Sequence, residues 1–136
     1  RDRVQFISGL DEEEIRKHYA EATIAVSPSV YEGFGFPAGE ALSCGVPLVS
    51  TDGGSLPEVV GDAGIIVPHS NPPALAKAIA DLLNNPDKRD ALSVKGRKHI
   101  SENFTWSRCA QEVVDMYRDT IAKNANIQLT NADNST

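Results

Sequence analysis

Apolar residues along this chain fall into two patterns, short unbroken runs and stripes at helical spacing. Val4–Ile7, Thr23–Val26, Pro47–Ser50 and Ile65–Val67 read as short strands, and Thr23–Val26 lacks polar alternation, as expected of a strand covered on both faces in a parallel sheet. Helical signals lie between them. Asp11 with Glu14 three residues later forms an acidic capping box, and Ile15, Tyr19 and Ala22 share one face of a helix predicted to end near Glu21. Pro37 suits the first turn of a helix that runs through Ala41 and Leu42 and stops at Gly45. Asp52-Gly53-Gly54 turns the chain into a short helix around Leu56 to Val60, and Pro68 closes the fourth strand. Leu75, Ala78, Ile79, Leu82 and Leu83 stripe a further helix, and Pro86 opens another that ends near Ile100. Trp106, Cys109, Val113, Met116 and Tyr117 mark a last one, with Trp106, Met116 and Tyr117 expected in the core. The polar residues 124–136 predict a disordered tail.

The expected fold class is therefore α/β: a Rossmann-like parallel sheet of about four strands with C-terminal helices, contained in residues 1–123. In such sheets ligands bind beyond the carboxyl ends of the strands. That rule directs attention to three loops, Ser8 to Leu10, Ser27 to Phe36, and Thr51 to Ser55.

Composition narrows the function. A length of 136 residues allows one domain at most. The net charge of −6 provides no field for a polyanion, so no nucleic acid partner is expected. No apolar run approaches the roughly 18 residues of a membrane span, and the first residues lack a signal-peptide stretch, which points to a cytoplasmic protein. Cys44 and Cys109 show no metal-ligand or disulfide spacing. His18, His69 and His99 are expected at the surface.

The segment from Ser27 to Glu40 carries the chemistry. Two carboxylates, Glu32 and Glu40, flank two glycines and a proline. Gly33 and Gly35 permit backbone conformations closed to other residues and let a ligand approach main-chain N–H groups. A helix beginning near Pro37 directs unsatisfied N–H groups and a partial positive charge to the same spot, which suits a phosphate. Glu40, one turn into that helix, can accept hydrogen bonds from a ribose diol, and Glu32 can serve another set of hydroxyls.

Tyr31-Glu32-Gly33-Phe34-Gly35-Phe36-Pro37 through Glu40, then Ala41–Ser50 with its Cys44-Gly45-Val46-Pro47 turn, and Gly53–Val60 resemble one family. It is the donor-binding domain of retaining glycosyltransferases with two Rossmann-like domains, the GT-B fold, in the group 1 family of glycogen, sucrose and lipopolysaccharide glycosyltransferases. The resemblance runs from Val4 to about Ile121. It implies that Glu40 binds the ribose of a UDP- or GDP-sugar donor, and that Glu32, the catalytic candidate, faces the sugar and diphosphate with Gly33 and the N–H groups of Phe34, Gly35 and Phe36. It further implies base contacts from Ile7, Ser8 and Gly9, transfer of a hexosyl group with retention, and no metal or other cofactor. Full-length relatives would sit in the cytoplasm, some peripheral to the inner face of a membrane.

The resemblance also implies an acceptor-binding domain, two earlier strands and a basic pair that neutralises the diphosphate. None is present, and no Lys or Arg occurs between Lys17 and Lys77. The expectation is a donor-domain piece that works with a missing N-terminal domain or separate chain, is inactive alone, and self-associates through an open sheet edge. The alternative is a non-catalytic nucleotide-sugar- or partner-binding module. A further alternative is an NAD(P)-binding Rossmann domain, since Gly33, Gly35 and Gly39 form a glycine pattern and Asp52 follows nineteen residues after Gly33. Two further rivals are a glycosidase carboxylate pair, and a nucleophile elbow at Gly53-Gly-Ser55, where Pro57 replaces the closing glycine.

Overall fold

The computed structural model describes residues 3–133, with side chains for residues 3–123. Its elements in order are α1 (Glu12–Glu21), β1 (Ala25–Ser27), α2 (Phe36–Ser43), β2 (Leu48–Thr51), α3 (Leu56–Val60), β3 (Ile65–Val67), α4 (Pro72–Leu83), α5 (Pro86–Asn103) and α6 (Trp106–Asp133). The strands pair in parallel in the order β1-β2-β3, with Ala25 opposite Leu48 and Val49 opposite Ile65. The fold is thus α/β with a parallel sheet, but of three strands among the described residues. Val4–Ile7 forms no strand, and Val4 and Phe6 are exposed. An extended run becomes a strand only where a neighbour takes its N–H and C=O groups.

The contacts divide the chain into Arg1–Ser101 and Glu102–Thr136. In the first unit side chains alternate across the sheet with the strand period of two. Leu48 and Ile66 face one side, where Ala38, Ala41 and Leu42 of α2 and Leu56 and Val60 of α3 complete a cluster joined by Tyr19 and Ile100. Val49, Ile65 and Val67 face the other, where Ala78 and Leu82 of α4 cover them. Burying each such Leu or Val contributes about 1.5–3 kcal/mol. β2 is buried along its whole length, which makes it the most constrained strand.

Helix ends follow local chemistry. Asp11 Oδ1 accepts from the N–H groups of Glu13 and Glu14, and the Glu14 carboxylate accepts from the Asp11 N–H at 3.0 Å, completing the capping box. Gly45, with φ 75°, ends α2 in the left-handed conformation. His99, expected at the surface, is half-buried, with Nε2 3.1 Å from the Val59 carbonyl.

In the second unit α6 is stitched by pairs three or four residues apart, Arg108 with Glu112 at 2.8 Å and Arg118 with Asp115 at 3.2 Å. Its backbone is helical to Asp133, through most of the stretch expected to be disordered; no Gly or Pro from residue 106 to 133 interrupts it. Residues 134–136 of that stretch lie outside the described residues. Trp106, Met116 and Tyr117 are exposed, not core. Helical spacing marks an apolar face without naming what covers it.

Candidate functional site

The segments leaving β1 and β2 meet at the carboxyl end of the sheet. Thr51, the last residue of β2, donates its hydroxyl to the Ser29 carbonyl. Ser29 in turn donates Oγ to Glu32 Oε1 at 2.7 Å. Ser55 holds the same loop further along, donating both its N–H and its Oγ to the Glu32 carbonyl at 3.1 Å.

Gly53 and Gly54 make this contact possible. A Cβ on Gly53 would lie 2.6 Å from the carbonyl oxygens of Ser29 and Val30, and one on Gly54 would collide with the Glu32 carbonyl oxygen. Gly54 also has φ 62°. The pair therefore does more than turn the chain: it lets two backbones touch.

Gly35 opens α2 with φ 90°, and a Cβ there would meet Leu56 Cδ2 at 2.7 Å. No side chain caps the helix. Gly33 is different from what its pattern suggests. Its φ lies outside the left-handed region and a Cβ would meet nothing within 4 Å, so the fold imposes no steric demand for glycine there. The rings of Phe34 and Phe36 stand beside it with centroids 4.8 Å apart, both exposed.

Glu40 is anchored to a different element. Tyr19 of α1 places its hydroxyl 3.2 Å from both Glu40 Oε2 and the Pro37 carbonyl, and its single proton serves one acceptor at a time. Burial, with Glu40 beside it, pushes the Tyr19 hydroxyl up to about 12. Ile7, Ser8 and Gly9 stay exposed ahead of α1. Ser29, Thr51 and Tyr19 were not singled out by the sequence as site residues, and Ser55 only as the serine of the rival nucleophile elbow. Tyr19 gave only a core signal, and the others stand at loop and strand ends where spacing carries no partner.

Asp52 and His69 form a second tie between loops. Asp52 Oδ1 accepts from the His69 N–H at 2.7 Å and lies 2.7 Å from His69 Nδ1. Those contacts, the backbone bond first, hold the Asp52 carboxyl below its usual range. The next residue, Ser70, has φ 55°. Among the described residues no cluster of three or more His, Cys, Asp or Glu is arranged to hold a metal, and no helix is long and apolar enough to cross a membrane.

The family described as "Glycosyl transferases group 1" matches residues 1–99. The "MMP alpha-(1->4)-mannosyltransferase" of Mycolicibacterium hassiacum is 38% identical over 127 residues, covering 91% of this chain and 31% of its own. Sucrose-phosphate synthase from Thermosynechococcus elongatus superposes with a TM-score of 0.77 at 34% identity, over 90% of this chain and 31% of that one. The C-terminal domain of a glycosyl transferase group 1 family protein from Francisella tularensis gives a TM-score of 0.66 at 27% identity, over 76% and 53%. The chain spans between 26% and 31% of the length of the curated relatives compared with it.

Proposed function

Because the chain belongs to the group 1 glycosyl transferases, we propose that the loop from Ser27 to Phe36 and the N-terminus of α2 bind a nucleoside-diphosphate sugar, UDP- or GDP-linked, as donor for hexosyl transfer with retention. In this reading Glu40 accepts hydrogen bonds from the ribose hydroxyls. The N–H groups of Phe34, Gly35 and Phe36 and the positive end of the helix face the diphosphate, Gly33 leaves room for its approach, and Glu32 faces the sugar. Ile7 and Ser8 contact the base. As the bond from the anomeric carbon to the leaving oxygen breaks, negative charge grows on the diphosphate and positive charge on the sugar. Fixed N–H donors act on the first and the Glu32 carboxylate on the second.

One observation carries this reading: α2 begins at a left-handed glycine without a side-chain cap, beside a second glycine whose open side the fold does not use. The NAD(P) alternative is weakened because Asp52, its ribose-binding candidate, is engaged by His69. A second reading, a binding module without transfer activity of its own, is favoured by the absence of Lys or Arg between residues 17 and 77. A separately supplied acceptor domain that restores transfer would decide for the enzyme. Donor binding without transfer would decide for the module.

Glu40→Ala tests the assignment. A carboxylate bridging two hydroxyls makes charge-assisted bonds of about 1.5–3 kcal/mol, so donor affinity falls roughly 10- to 150-fold. Unchanged affinity by calorimetry refutes the role. Glu32→Ala, in a protein carrying both domains, lowers turnover more than donor affinity; equal losses would reassign it to ground-state binding.

A further inference from the structure

We infer that Thr51, acting through Ser29, is a positioning residue for the Glu32 carboxylate, with Ser55 fixing the Glu32 main chain. The inference rests on the donor-site reading for its catalytic meaning, but the geometry is independent of any donor. Glu32 stands on a loop with no regular secondary structure, leaving a strand at the edge of the sheet. Within the loop only the Ser29 hydroxyl bonds the carboxylate, and Ser29 itself has no strand or helix to fix it.

The neighbouring strand supplies what the loop lacks. β2 is the central strand and Thr51 is buried at its end. Its Oγ1 also lies 3.5 Å from the Ser27 carbonyl, so its one proton, given to Ser29, ties the loop where it leaves β1. Ser29 Oγ then binds Glu32 Oε1 at 2.7 Å, while two donors of Ser55 close on the Glu32 carbonyl. Gly53 and Gly54 exclude any side chain from the seam. The loop is thus held at Ser29 and at Glu32 by one short segment, Thr51 to Ser55. The bond from Ser29 to Oε1 narrows the orientations open to the carboxylate. A group that must meet a developing charge gains from such fixing, since reorientation costs are then met in folding.

The test compares wild type with Thr51→Val, which keeps the shape and removes the proton, and Thr51→Ser, which restores it. Amide hydrogen exchange over residues 29–35 reports the loop, and exchange in α4 reports the fold. Thr51→Val should speed loop exchange about tenfold, as for loss of one ordinary hydrogen bond, with α4 unchanged and Thr51→Ser close to wild type. Unchanged loop exchange in Thr51→Val, or failure of Thr51→Ser to restore protection, overturns the inference. Should Thr51→Val fail to fold, Ser29→Ala takes its place. The Glu32 side-chain carboxyl resonance should then shift and narrow as the tether is lost, and an unmoved resonance counts against the proposal. Titration of the wild-type chain with UDP and GDP runs alongside. A chain that binds neither, yet shows the exchange pattern, refutes the donor reading while leaving the positioning of Glu32 intact.

Discussion

Gly33 and Gly35 stand two residues apart in the same loop, and the structure asks different things of them. Gly35 has φ 90° and no room for a Cβ against Leu56. Gly35→Ala should therefore destabilise the chain by about 1–2 kcal/mol from the left-handed backbone alone, and by more if Leu56 cannot yield. Gly33→Ala meets open space and should leave the stability within about 0.5 kcal/mol of wild type, as for an ordinary surface substitution, while weakening donor binding. Denaturant melts paired with calorimetry check both. If Gly33→Ala destabilises the chain and spares binding, the open side has no bearing on the ligand. The glycines as a set were legible in the sequence, but this division was not, because a residue string shows where freedom exists and not where it is used. The Gly53-Gly54 pair makes the same point: its turn was readable, whereas its contact with the Ser29–Glu32 backbone depends on two segments separated by more than twenty residues.

Tyr19 joins two elements, and its titration reports whether they stay joined. Its hydroxyl is held near 12 against an ordinary value near 10, by burial first and by Glu40 second. Below pH 10 the hydroxyl is protonated in both folded and unfolded chains, and its contribution to stability is fully present. Between about 10 and 12 the unfolded chain releases the proton while the folded chain retains it, so stability falls as pH rises. Tyr19→Phe should flatten stability across that window, as urea melts at successive pH values would show; an equally steep loss in the variant would assign the alkaline sensitivity elsewhere. Helices and strands were the most readable features of the sequence. Asp11, Pro37, Gly45 and the Leu75–Leu83 stripe each carry a local signal, and α1, α2, α3, β3 and α4 lie close to where those signals put them. Val4–Ile7 failed because strand formation needs a partner that local pattern cannot show. Trp106, Met116 and Tyr117 failed because an apolar stripe does not state what it packs against.

For the chain taken together, the open question is what the carboxyl end of the sheet does when the chain stands alone. β1 is an edge strand, and half-exposed Val26 and exposed Val4 and Phe6 add apolar surface. Unpaired edges invite pairing with another chain, so sedimentation velocity should show concentration-dependent self-association. A monodisperse monomer throughout would contradict that expectation. Whether the loop beyond β1 and the start of α2 receive a nucleoside diphosphate can be decided by titrating the ¹⁵N-labelled chain with UDP, GDP and NADH. Saturable shifts are expected at the amides of Gly33, Phe34, Gly35 and Phe36 with UDP or GDP, and none there with NADH. Absence of shifts at those four amides with both nucleotides, or an equal response to NADH, would contradict the donor-site reading.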